Sequence, residues 1–204
     1  MNILYIFGNG FDKAQGMATG YPEFYKHLQY NITDGSTLLN RMKKEITEKL
    51  ELWSDMEESL GGFTTESDNA DEFDDFYFEL NDLLQKYLTS ENDNFFPTDK
   101  LKIKFQSDFT TVSKYLGALD QNRYNIFIKT NGLSLSKDIS VITLNYTNTL
   151  EKILSLNTTT TKTFGSNIFL RDIIHVHGQL GRSIIIGVDN EEQIMNKEFR
   201  NNDD

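Results

Sequence analysis

The hydrophobic positions follow two regimes, one on each side of Asn131-Gly132. The short apolar run Ile3 to Phe7, ended by Gly8-Asn9-Gly10, predicts a buried first strand feeding a tight turn. Helical spacing then takes over. Pro22 suits the first turn of a helix running to about Tyr30. A second helix is expected from about Ser36 to Leu60, stopped by Gly61-Gly62. Phe73, Phe76, Tyr77, Leu80, Leu83, Leu84 and Tyr87 recur at i, i+3, i+4, i+7 and predict an amphipathic helix over roughly 70–89. From about Thr98 a further stripe, Phe105, Phe109, Val112, Leu116 and Leu119, predicts helix continuing to about Thr130. Beyond Gly132 the pattern turns to strands. Ile139 to Leu144 reads as a buried strand and Thr147 to Leu156 as a helix. Asn157 to Thr163 reads as a loop, and Phe164–Leu170, Asp172–His177 and Ser183–Val188 as short strands. The polar end, 201–204, is expected to fray. The layout predicts one α/β domain over 1–204, with a helical subdomain at about 21–131 between the first strand and the later ones.

Charge changes this picture. The chain has 204 residues, 31 acidic and 20 basic side chains, and a net charge of −11. The segment Asp55–Asp93 alone holds thirteen acidic residues and one lysine, Lys86, so it carries −12 and leaves the remainder at +1. Asp71, Glu72, Asp74, Asp75, Glu79 and Asp82 lie off the apolar stripe of the 70–89 helix. They form either a solvated outer face or a lip for a basic protein partner. The overall sign argues against nucleic acid, whose binding rests on phosphate neutralisation. The absence of cysteine excludes disulfides, thiolate metal sites and cysteine nucleophiles. No apolar run reaches the roughly 18 residues of a membrane span, and the amino terminus lacks the basic region of a signal peptide. A cytoplasmic protein is expected.

Four constellations could carry chemistry. Gly8-Asn9-Gly10-Phe11-Asp12 follows the first strand, where glycines permit a sharp turn and close approach of a ligand. Asp12 could accept ribose hydroxyls or cap the turn. Its match to the dinucleotide fingerprint is incomplete, with Lys13 and Gly16 out of place. In Thr143-Leu144-Asn145-Tyr146-Thr147-Asn148-Thr149-Leu150-Glu151 a strand ends in Asn145, which could orient a water or ribose hydroxyl. Asn145, Thr147 or Asn148 could equally cap the next helix. In His175-Val176-His177-Gly178 both histidines share a strand face, with His177 at the strand end and suited to base chemistry. Two such histidines could share a metal, but no third ligand is evident and none is predicted. In Trp53-Ser54-Asp55-Met56-Glu57, Trp53 and Glu57 fall on one helical face with Met56 and Leu60. A carboxylate on an apolar stripe needs a partner or lines a cleft.

The order of these segments resembles the bacterial abortive-infection AbiH family, over nearly the whole chain. GNGFD, NYTNTLE and HVHG are the most specific parts, with WSDME and the Ile184–Gly187 run in step. That resemblance implies defence against bacteriophage. It also implies that members usually run past Asp204, with a Gly-His-Ser-Leu-type segment, so the chain is expected to be a short member or a fragment. More remotely, the order is similar to sirtuin-type NAD-binding domains, which implies a Rossmann-like, mainly parallel sheet. Gly8 and Gly10 then match the dinucleotide turn, with Asn9, Phe11, Asp12, Tyr146 and Gly178 around the ligand. Asn145 matches the residue that orients ribose and water, and His177 the catalytic histidine. Trp53, Glu57 and His175 are further cleft candidates. Asn9 stands where sirtuins carry alanine, and the zinc-binding cysteines are missing, so a deacylase is a poor match.

Two functions are expected to compete. One is an NAD glycohydrolase with His177 as base, Asn145 holding the nucleophile, glycine N–H groups on the pyrophosphate, and Asp12 or Glu57 facing positive charge on the ribose. The other is a nucleotide-responsive sensor without catalysis. A nuclease fits poorly, because no ordered carboxylate metal motif is present.

Overall fold

The first apolar run forms strand β1, Asn2–Phe7, and the Gly8-Asn9 turn leads at once into a short helix, α1, Gly10–Ala14. The turn closes with the Phe11 N–H donating to the Gly8 carbonyl at 2.9 Å. The computed structural model describes the chain except residues 33, 54, 133–135, 157–160, 188–193 and 197–204 and the side chain of Leu52. Part of the expected 157–163 loop, the end of the expected 183–188 strand and the polar 201–204 end therefore lie outside the described residues.

Helix α2, Tyr21–Asn31, carries proline in its first turn, as expected. The single helix expected over 36–60 is corrected to three pieces: α3, Thr37–Glu48, a 3-10 turn, Leu50–Trp53, and α4, Met56–Phe63. The cause is a second start signal inside the run. Asp55 accepts the N–H groups of Glu57 (3.0 Å) and Glu58 (3.1 Å), as Ser36 accepts that of Leu39 (3.2 Å) at the head of α3. Gly61-Gly62 does not end α4, which continues to the buried Phe63. Burial there outweighs the roughly 1 kcal/mol helix penalty of a glycine. Helix α5, Ala70–Asn94, buries Phe76, Leu80, Leu84 and Leu88 at four-residue intervals.

The stripe expected over 98–130 is also divided. Helix α6, Asp99–Thr110, starts on a Thr98 cap and buries Phe109. A 3-10 turn, Val112–Tyr115, and α7, Ala118–Asn131, follow. The chain bends at Thr111, so the period restarts, and Leu119 is exposed rather than buried.

Strand β2, Lys137–Thr143, is followed by α8, Thr149–Leu154, shorter than the expected 147–156. The two strands expected at 164–170 and 172–177 are corrected to a hairpin of β3, Lys162–Phe164, and β4, Ile168–His175. Gly165, at φ +66, makes its turn. β4 stays continuous through a bulge at Arg171, where the register with β2 slips between Ile139 and Ser140. In the run expected as a strand from Ser183, Ile184 forms only an isolated bridge with Gly178.

The strands form one sheet, ordered β1-β2-β4-β3. β1 and β4 both run parallel to β2, and β3 is antiparallel at one edge. The fold is thus mixed α/β with a mainly parallel sheet, as expected. By internal contacts the chain divides into two compact units. The sheet unit comprises Met1–Phe11 and Asn92–Val176; the helical unit comprises Asp12–Glu91 and His177–Asp204. In the sheet unit Ile139, Val141, Ile173 and Leu170 pack with Leu150, Leu154 and Phe109. A run of rings, Tyr5, Phe7, Phe11, Phe105 and Phe109, adds to that core. In the helical unit the rings of Tyr25, Trp53, Phe63 and Phe76 follow one another in contact. No helix among the described residues is long and apolar enough to cross a membrane.

Candidate functional site

The parallel register gathers three of the sequence motifs. Phe7 pairs with Thr143, and Thr143 with His175, so β1, β2 and β4 end at one level. The ladder runs one step further through Leu144 N–H to Phe7 O (2.9 Å) and Val176 N–H to Thr143 O (3.0 Å). Gly8, Asn145 and His175 therefore stand at the carboxyl edge of adjacent strands, where open α/β sheets bind ligands.

At the end of β1 the fold itself does not ask for glycine. Neither Gly8 nor Gly10 has positive φ, and a Cβ built on either meets nothing within 4 Å. Their bare backbone suits close approach by another molecule. Gly178 is the opposite case. It sits at φ +83, and an added Cβ would lie 2.0 Å from the Ser183 carbonyl, so the fold alone accounts for it.

At the end of β2 the side chains are polar yet buried. Thr143, Asn145, Thr147 and Thr149 are all under 9% exposed. Asn145 donates its N–H to Thr143 Oγ1 (3.1 Å), and Thr149 donates its hydroxyl to Thr147 (3.0 Å). Tyr146 is half-buried beside them. Asn148 occupies the cap position of α8 without a side-chain cap bond; its N–H donates to Asn92 Oδ1 (3.0 Å). The Lys152 ammonium donates to the Asn92 and Phe95 carbonyls, and burial pulls it below the usual lysine range despite Asp93 nearby.

At the end of β4, His175 has both ring nitrogens engaged. Nδ1 lies 2.9 Å from the Asn145 carbonyl and Nε2 2.7 Å from Glu151 Oε1. The two side chains are 7% and 13% exposed. Sequence reasoning missed Glu151, which stands in the first turn of α8.

The other candidates belong to the helical unit. Asp12 is buried and opens that unit, its carbonyl accepting the N–H groups of Gln15 (2.9 Å) and Met17 (3.2 Å). Trp53 is buried with its ring edge toward Tyr25. Glu57 finds the partner its position demanded in the Tyr21 hydroxyl, which donates to it at 3.1 Å. The Tyr25 hydroxyl is pushed up in pKa by burial and then by Asp55. The His177 carbonyl accepts the Ile185 N–H at 2.9 Å. Thus the structure joins Gly8, Asn145 and His175 on one edge, with Asn9, Gly10, Phe11 and Tyr146 adjoining them in sequence. Asp12, Trp53, Glu57, His177 and Gly178 lie in the other unit. Among the described residues no group of three His, Asp or Glu could hold a metal ion.

No curated protein and no solved structure matches the chain. A family described as bacteriophage abortive infection AbiH matches residues 4–203, nearly the full length, with the three strand-end motifs inside the match. The chain therefore belongs to the AbiH family, which implies a bacterial abortive-infection role against phage.

Proposed function

We propose that the carboxyl edge of β1, β2 and β4 binds a nucleotide, NAD being the first to test, and that the sheet is Rossmann-like in its use. The observation that carries this reading is the common level of Phe7, Thr143 and His175. The bare backbone of Gly8 and Gly10 suits pyrophosphate, and Asn145 suits a ribose hydroxyl or a water. Electrostatics agree. The sheet unit's sequence holds ten basic and seven acidic side chains, so an anion meets no net repulsion from that unit.

The reaction is hydrolysis of the nicotinamide–ribose bond. Water attacks the ribose C1′ and gives up its proton to a base, and the bond to nicotinamide breaks; His177 is the base that the sequence motif nominates for testing. Incubation with NAD followed by chromatography of the products tests it. Nicotinamide release, abolished by His177→Ala in a folded protein, is the expected result. No release by the wild-type chain or by a longer homologous form, with or without phage, would overturn it.

A sensor without turnover is the second reading, favoured by the commitment of both His175 nitrogens to Asn145 and Glu151. Nucleotide-induced thermal stabilisation without product, and defence that tolerates His177→Ala, would select it. In either reading the outer face of α5 suits a basic protein partner. Salt-sensitive capture by a polylysine matrix, lost on neutralising Asp71, Asp74 and Asp75, tests that surface.

A further inference from the structure

We infer that Glu151 and His175 form a positioning pair, with a proton on His175 Nε2 directed at Glu151 Oε1, which thereby fixes Asn145 at the sheet edge. A carbonyl oxygen only accepts, so the 2.9 Å contact to Asn145 O requires a proton on Nδ1. That leaves Nε2, 2.7 Å from Glu151 Oε1, a distance of charge-assisted bonds. Without a second proton an imidazole lone pair would face a carboxylate lone pair, and the buried pair would carry a net negative charge. With it the pair is neutral overall and both contacts are attractive. Lys152, the next charged side chain on α8, is turned to the Asn92 and Phe95 carbonyls and does not supply that neutrality.

The consequence is mechanical. β2 ends at Thr143, and the next residues have left the ladder by Asn145. The His175 ring ties the Asn145 carbonyl to β4, and Glu151 ties the ring to α8. The Asn145 backbone is thus fixed between a strand and a helix. Neither His175 nor Glu151 is a catalytic residue in this arrangement. The pairing itself stands on the geometry; its effect on ligand binding rests on the nucleotide reading above.

The test is nitrogen-15 NMR of the full chain with labelled histidine, without ligand. At pH 7.5 the wild type is expected to show protons on both His175 nitrogens. Glu151→Gln, whose amide can donate to Nε2, is expected to keep the fold and the Asn145 contact while His175 becomes a neutral ring protonated at Nδ1 alone. Glu151→Ala is expected to shift the Asn145 resonances and weaken nucleotide binding about tenfold, with Glu151→Gln restoring most of it. A wild-type His175 with one ring proton at pH 7.5 overturns the pairing, whatever the ligand does. Asn145 resonances unmoved in Glu151→Ala overturn its positioning role. An intact spectral signature with no nucleotide binding leaves the pair standing and removes the nucleotide reading alone.

Discussion

The two units bury different chemistry. The helical unit hides large apolar side chains: Phe24, Tyr25, Leu28, Leu39, Met42, Trp53, Phe76 and Leu80 are each 2% exposed or less. Its charge, −14 by sequence against +3 for the sheet unit, stands largely on the outer faces of helices such as α5. The sheet unit also buries Ile139 and Val141, but at its strand ends it buries Thr143, Asn145, Thr147 and Thr149, with the His175–Glu151 pair alongside. Burying polar groups is costly unless they are bonded, and it adds little stability when they are. The difference teaches that the helical unit's core is mainly large apolar packing, with Asp12, Thr64 and Ser67 as buried polar exceptions, whereas the strand ends of the sheet unit hold a run of polar groups in fixed positions.

Mutations should break along this line. Trp53→Ala is expected to cost about 3–5 kcal/mol, the usual penalty for emptying a large aromatic site, and to expose helical-unit amides in hydrogen exchange. Glu151→Ala is expected to cost about 3 kcal/mol in denaturant unfolding, because it strands one member of a buried pair. The glycines give a sharper contrast. Gly178→Ala, strained in φ and clashing with Ser183, is expected to lose about 2 kcal/mol. Gly8→Ala is expected to change stability by less than about 0.5 kcal/mol while weakening nucleotide binding. Thermal melts with and without NAD read both effects.

Two tyrosines make the smallest and cleanest comparison. Tyr5 in the sheet unit donates its hydroxyl to the Phe109 carbonyl at 3.0 Å. The buried Tyr25 hydroxyl has no hydrogen-bond partner among the described residues. Tyr5→Phe is expected to cost about 1 kcal/mol, and Tyr25→Phe close to nothing. Burial pushes the Tyr5 hydroxyl up to about 12, with Tyr115 and Tyr124 adding to it, and burial and Asp55 move Tyr25 upward as well. A raised folded pKa means that stability is whole below the unfolded value of about 10 and declines as pH rises above it. Unfolding midpoints between pH 9 and 12 should show that decline, and each Tyr→Phe change should flatten it.

Much of the sheet was legible in the sequence because its apolar runs stop at polar or glycine punctuation: Ile3–Phe7 at Gly8, Ile139–Leu144 at Asn145. The break between α3 and α4 was written in Ser54-Asp55-Met56-Glu57-Glu58, a cap with acidic residues behind it, but the continuous apolar stripe masked it. Leu119 was misjudged because helical period cannot see the bend at Thr111. Glu151 was hidden for a different reason. A glutamate in the first turn of a helix ordinarily faces solvent or the helix dipole. Its true partner lies 24 residues away, and only the β2–β4 register brings the two together. That same register, which sequence alone does not fix, aligns Gly8, Asn145 and His175.

Nucleotide binding at the strand ends is tested most directly by mapping NAD onto the protein through backbone amide shifts. Binding at the strand ends should move the Gly8, Gly10 and Asn145 resonances together and leave those of α5 in place. Unmoved Gly8, Gly10 and Asn145 at millimolar NAD, or shifts confined to α5, would contradict it.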